Sequence, residues 1–176
     1  MPATVNTNTT KTNWPNGYSS AMVQFTRPAD ATAYALGDQI SDTTGASNYL
    51  QFTEGQTCGG QVLDAYLTQS LAAAMDFDLL LFDAVPTAAA DNAACALVAA
   101  DQAKLIGMVS FKTANKVTAG ALDVYRGVDL SSAAYVPMVY YGNLYGLLIA
   151  RTAIALGNAA QICIRLGIDR SAFAAT

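Results

Sequence analysis

The sequence predicts an all-β protein: an antiparallel β-sandwich, jelly-roll-like, with an extended N-terminal arm and at most one short helix. Three observations lead there. Short runs alternate apolar and polar side chains with the period of half-buried strands. Clusters of Gly, Pro, Asn and Asp punctuate these runs, so that about nine strands are expected. No βαβ alternation and no internal repeat is visible.

The chain is organised around Gly60–Ala84, GQVLDAYLTQSLAAAMDFDLLLFDA. Its first half places Leu63, Ala65 and Leu67 on one face and Asp64, Tyr66 and Thr68 on the other, as a half-buried strand does. In its second half, Phe77, Leu79 and Leu81 alternate with Asp78, Leu80 and Phe82. Both faces there are largely apolar, which predicts a central strand.

Residues 1–20 hold Thr, Asn, Pro and Gly without an apolar period. Such a segment buries too little surface to offset its ordering entropy, so it reads as an arm ahead of a β-domain over residues 21–176. Trp14 lies in that arm. It is costly to leave in water, so it is expected to dock, either on its own domain or on a partner.

Ala21–Arg27 is a short strand, broken by Pro28 and Asp30. Tyr34–Ile40 is a second extended piece with a bend at Gly37-Asp38, and Asn48–Thr53 a third. The loops SDTTGAS (Ser41–Ser47) and EGQTCGG (Glu54–Gly60) flank it. Ala88–Lys104 is rich in alanine, a strong helix former, yet its apolar residues make no helical stripe. It predicts a short strand near Ala94–Val98 and one helical turn near Ala100–Lys104, with a two-to-three-turn helix as the alternative. Leu105–Phe111 is a strand, Lys112–Gly120 a polar loop, and Ala121–Val128 a strand. Tyr135–Tyr141 and Leu144–Arg151 are apolar-aromatic runs joined by Gly142-Asn143, a link with the positive φ that a tight hairpin needs. Gln161–Asp169 is the last strand, with Ile162, Ile164, Leu166 and Ile168 inward.

Of the 176 residues 53% are apolar and only 12% charged, with a net charge of −4. That charged share is about half the usual one. Either neutral polar side chains cover the surface or part of it is buried against other chains. The nine Lys and Arg are scattered singly, which argues against nucleic-acid binding, since counterion release needs several cations on one face. The three cysteines are odd in number and fit no metal spacing, so reduced thiols are expected. Met1 is followed by no charged-then-apolar leader. The most apolar window, Tyr145–Ile168, is interrupted by Arg151, Asn158, Gln161 and Arg165. A membrane helix is therefore not expected, and synthesis in a cytoplasm is.

The chain contains no histidine. This excludes Ser-His-Asp and Cys-His nucleophiles and most catalytic zinc sites. The densest carboxylates are Asp76, Asp78 and Asp83. Asp76 and Asp78 would share a strand face, and a glycosidase reading would rest on them; solvated or turn-capping roles are the plainer reading. No EF-hand, GK[ST] or GxGxxG pattern occurs. Tyr135, Tyr140, Tyr141 and Tyr145 cluster about Gly142-Asn143, where aromatics pack on a core, fill a protein interface or stack on sugar rings.

Four stretches carry a family resemblance: FTRPADATAYALGDQI (Phe25–Ile40), FDLLLFDAVPTAAADNAA (Phe77–Ala94), DQAKLIGMVSF (Asp101–Phe111) and LYGLLIARTAIALGNAAQICIRLGID (Leu144–Asp169). In these, the chain resembles the jelly-roll decoration, or cement, proteins of tailed-bacteriophage heads. The resemblance implies a β-sandwich on the exterior of the virion capsid that clamps major capsid protein subunits. It implies no enzyme activity, no catalytic residue and no cofactor. Symmetric closure favours a homodimer or homotrimer, and repeated contacts turn modest affinity into firm retention. The alternative is a carbohydrate-binding sandwich from a phage fibre or adhesin. The candidate interface residues are Trp14, Asp91 and Asn92 in the loop PTAAADNAA, and Tyr140 and Tyr145. No metal, nucleic-acid or membrane partner is expected.

Overall fold

The computed structural model describes residues 17–29, 32–42, 48–52, 59–70, 74–128, 138–153 and 160–171. These residues form an all-β fold of ten strands. They are β1 (Tyr18–Thr26), β2 (Gln39–Ile40), β3 (Leu50–Gln51), β4 (Gly60–Gln69), β5 (Phe77–Phe82), β6 (Leu105–Ala119), β7 (Leu122–Val128), β8 (Met138–Tyr140), β9 (Tyr145–Ala150) and β10 (Gln161–Asp169). Every strand pairing is antiparallel. One curled sheet runs β1-β10-β4-β7-β6-β5-β9-β2, with β3 beside β9 and β8 beside β4.

Curling brings the two ends of the sheet together as the layers of a sandwich. Val23 and Phe25 of β1, Ile164 and Leu166 of β10 and Leu67 of β4 share one buried cluster with Leu79 of β5, Leu148 of β9 and Ile40 of β2. The period-two pattern specifies this directly. Ile162, Ile164, Leu166 and Ile168 are all fully buried, each contributing about 2 kcal/mol of apolar burial. Between β5 and its neighbours both faces are covered, as its sequence predicts. Phe77, Leu79 and Leu81 face the main core. Phe82 and Leu80 pack with Tyr145, Leu147 and Ile149 of β9 against Ala88 and Cys95 of the following loop.

Five local expectations need correction. Tyr18–Ser20 belong to β1, pairing with Asp169, Ile168 and Gly167, so the domain starts inside the expected arm; residues 1–16, with Trp14, lie outside the described residues. In the expected extended piece Tyr34–Ile40, with its bend at Gly37-Asp38, the strand is limited to Gln39–Ile40, after a turn at Leu36-Gly37. No strand covers Ala94–Val98: Ala94 makes a lone bridge to Asp38, and one 3-10 turn follows at Ala99–Asp101. Lys112–Ala119 is not a loop but the distal half of β6. Its pairing with β7 breaks between Phe111 and Lys116 and resumes to a two-residue turn at Gly120-Ala121. That segment is polar because little of it is buried, a pattern that resembles a loop in sequence.

The fifth concerns Gly142-Asn143. Gly142 does take the positive φ expected of it, +81°, yet β8 and β9 do not pair with each other. Tyr140 faces Gly60 of β4, while β9 lies between β5 and the short strands β2 and β3. The turn carries the chain from one layer to the other. Turn chemistry fixed the bend; the apolar residues on both runs chose separate, distant partners.

Candidate functional site

Two of the stretches that carry the resemblance meet in a buried cluster. Arg27, at the end of β1, donates through Nε to the Tyr34 hydroxyl at 2.8 Å. The Tyr34 hydroxyl donates to Asp91 Oδ1 at 2.7 Å. The same carboxylate oxygen accepts the Ser41 backbone N–H at 2.8 Å. The Arg27 guanidinium lies 3.6 Å from Asp91 Oδ2 and 4.8 Å above the Tyr34 ring. Burial, then the hydrogen bond and charge of Asp91, push the Tyr34 phenol far above its ordinary pKa, so it remains a proton donor.

Next to this cluster, the loop is stitched to β2. Asn92 N–H donates to Gln39 O at 2.9 Å, and Gln39 N–H to Ala93 O at 2.9 Å. Gln39, fully buried, holds Ala89 through both ends of its amide. Asn92 has φ +58°, which Asn tolerates better than other side chains do. With its amide oriented to satisfy both ends, its NH2 donates to Asp38 Oδ2 at 3.2 Å and Ala33 O at 3.1 Å. Asp91 is therefore not a surface residue, and Asn92 is half-buried. The DNAA segment ties a loop down over β9.

The tyrosine candidates also lie inside the domain. Tyr140 is fully buried in the main core, and burial raises its phenol pKa. Tyr145 is buried in the second cluster, edge-on to Tyr49 at 5.5 Å, with Asn143 donating to its hydroxyl at 3.2 Å. Neither can stack on a sugar from these positions. Of this tyrosine group, Tyr141 is the exposed one among the described residues, at 72%.

Asp76 and Asp78 do share one polar depression with Lys112 and Arg151. Both carboxylates are engaged, however. Asp78 accepts Ser110 Oγ at 2.7 Å and pairs with Arg151 Nε at 3.0 Å. Asp76 Oδ1 accepts both the N–H and the hydroxyl of Thr113, at 2.6 and 2.8 Å. These bonds clamp β5 to the distal half of β6 and to the end of β9. Among the described residues, no group of three or more His, Cys, Asp or Glu side chains could hold a metal. No helix there is long and apolar enough to cross a membrane.

The β6–β7 hairpin is a surface feature that no local sequence pattern announces. Every residue from Val117 to Leu122 is exposed, with Val117 at 65% and Leu122 at 45%. Val117 pairs with Val124 and Ala119 with Leu122, which sets these four apolar side chains on one face. The opposite face is anchored by Asp123, fully buried. Asp123 accepts Lys116 Nζ at 2.9 Å, Thr118 Oγ1 at 2.7 Å and Gln69 Nε2 at 3.4 Å. Gln69 also donates to the Tyr125 hydroxyl at 3.0 Å. The hairpin is thus a preformed finger with an apolar face. Separated from β7 by β10 and β4, β1 forms the end of the sheet and has β10 as its one strand neighbour among the described residues.

No protein-family model matches the chain, and no curated protein matches it.

Proposed function

We propose that the protein is a structural virion protein: a decoration, or cement, protein that binds the outside of a phage head and stabilises contacts between major capsid protein subunits. The observation that carries this reading is the projecting β6–β7 hairpin, which keeps Val117 and Leu122 in water on a finger that the Asp123 network holds rigid. Exposed apolar side chains on a preformed element mark a protein contact. A chain with 12% charged residues favours burial of that kind on a large partner. The edge of β1, which has no second strand partner among the described residues, gives a second contact, because Tyr18–Thr26 contains none of the Lys, Arg or Pro that normally blunt an edge. Self-association into a dimer or trimer through that edge is part of the proposal. The role is structural, with no chemistry assigned to Asp76 or Asp78.

The test is to mix purified protein with undecorated capsids of the phage that encodes it. Saturable binding and raised capsid resistance to heat or low ionic strength are expected. Absence of binding overturns the proposal. The carbohydrate-binding alternative no longer rests on Tyr140 and Tyr145, since both are buried; a different part of the surface carries it.

A further inference from the structure

The outward face of β1, β10, β4 and β7 holds a depression of about 550 Å³, within the size range of small-ligand sites. Strand register sets its chemistry. Met22 pairs with Arg165, Arg165 with Tyr66, and Tyr66 with Arg126. These four side chains therefore form one row across four strands. Tyr66 is exposed at 39% and stands between two exposed arginines. At about 4.8 Å per strand spacing, the Arg165 and Arg126 backbones are roughly 10 Å apart. Neither arginine has a carboxylate within ion-pair distance among the described residues, whereas Arg27, Lys104, Lys116 and Arg151 each do. Arg165 makes one long hydrogen bond, to Ser20 Oγ at 3.4 Å.

The next row differs in charge. Asp64 pairs with Gly167 and Gly167 with Ser20. The Tyr18 hydroxyl crosses Gly167 to donate to Asp64 Oδ2 at 2.6 Å. A Cβ at position 167 would collide with both the Tyr18 hydroxyl and the Asp64 carboxylate, so glycine there keeps this pair seated in the depression. The site is thus polarised: the Arg165 guanidinium beside the Tyr66 ring at one end of the depression, with Arg126 next to Tyr66 just outside its lining, and the Asp64 carboxylate and hydroxyls at the other.

We infer that this face binds an acidic carbohydrate. A sugar ring stacks on Tyr66, its carboxylate takes Arg165 and Arg126, and its hydroxyls reach Asp64 and Ser20. Arginine is suited to the carboxylate because its planar fork binds two oxygens at once. Tyrosine supplies an amphipathic platform. An acidic peptide is the poorer fit: the face of a paired sheet offers no free backbone ladder to align it, and Asp64 repels a second carboxylate while accepting hydroxyl protons. This inference does not rest on the capsid reading, since it uses none of the hairpin-tip residues.

The experiment is titration calorimetry of the full chain with trigalacturonate and 3′-sialyllactose, against maltotriose and lactose as neutral counterparts and hexaglutamate as a charge control. Saturable binding of at least one acidic sugar is expected, at least tenfold tighter than its neutral counterpart and than hexaglutamate. Arg165→Gln and Arg126→Gln should each weaken it about tenfold, Tyr66→Ala likewise, and Tyr66→Phe less than twofold. All three sites are exposed, and unchanged thermal unfolding checks that the four variants fold. No binding of either acidic sugar, equal binding of neutral sugar or hexaglutamate, or indifference to the arginine substitutions overturns the inference. None of these outcomes bears on capsid binding, which is read in the separate mixing experiment.

Discussion

Tyr34 donates its hydroxyl to Asp91 across 57 positions of chain, at 2.7 Å, with both side chains out of water. Arg27 closes the triangle from the end of β1. Two stretches that look like sequence signatures, one at each partner, are thus a single lock on the fold. Their roles are to end β1, seat β2 and pin the Val85–Val98 loop over β9.

That lock sets the first prediction. Asp91→Ala leaves the Arg27 guanidinium buried without its carboxylate, so a loss of about 3–5 kcal/mol is expected. An apolar double replacement, Arg27→Met with Asp91→Leu, should recover most of it, because no charge is then left unpaired. Urea unfolding of the three proteins measures this. A single variant within about 0.5 kcal/mol of wild type, the range of an ordinary surface substitution, would show that the cluster does not hold the loop.

Acid stability should report on the hairpin anchor. Burial pushes the Asp123 carboxyl up, but hydrogen bonds from Thr118, Lys116 and Gln69 outweigh this, and the result lies below the ordinary value. A carboxyl more acidic in the folded state contributes stability above its unfolded pKa of about 3.9 and loses it as pH falls through its folded pKa. Urea midpoints are expected to drop as pH is lowered below about 4. Asp123→Asn should flatten that limb while lowering stability at pH 7. An acid limb identical to wild type would contradict the assignment.

At the alkaline end the sign reverses. Partial burial, then the hydrogen bond and charge of Asp64, raise Tyr18 to about 12. A group that holds its proton more tightly when folded contributes stability below its unfolded pKa of about 10 and loses it as pH rises through its folded pKa. Unfolding midpoints should decline from pH 10 to pH 12. Tyr125 is raised to about 12 as well, chiefly by burial, so Tyr18→Phe should remove part of the decline and not all of it. Spectrophotometric tyrosine titration of wild type and variant separates the two. Loss of the entire high-pH step on replacing Tyr18 would be the wrong result.

Val117 and Leu122 make the opposite kind of prediction. Both are exposed, so Val117→Ser and Leu122→Ser should change stability by no more than about 0.5 kcal/mol. Thermal unfolding checks this. A larger loss would mean that these side chains pack within their own domain.

Where sequence reading succeeded, the local pattern and the final environment agreed. The bounds of β5 and β10 follow from apolar positions that are buried, or half-buried at Leu80 and Cys163, and the Gly142 bend from its required φ. It failed where the decisive fact was a partner far away in the chain. Nothing local says that Tyr140 pairs with Gly60 rather than folding back on Tyr145. Nothing local says that Asp91, in a loop of small polar residues, meets Arg27. The distal half of β6 was missed because exposure made it polar. Tyr66, Arg126 and Arg165 came from three separate strands, and only register puts them in one row. Of the tyrosines grouped in sequence, Tyr140 and Tyr145 are in the cores and Tyr141 is exposed, while Tyr66, alone in its stretch, is exposed as well.

Cosedimentation with undecorated capsids bears most directly on the proposed role, using wild type beside the Val117→Ser, Leu122→Ser double variant. Wild type should pellet with the shells to a fixed copy number, and the folded double variant should lose at least tenfold in apparent affinity. Wild type that remains in the supernatant, or a double variant that binds as wild type does, would contradict the account.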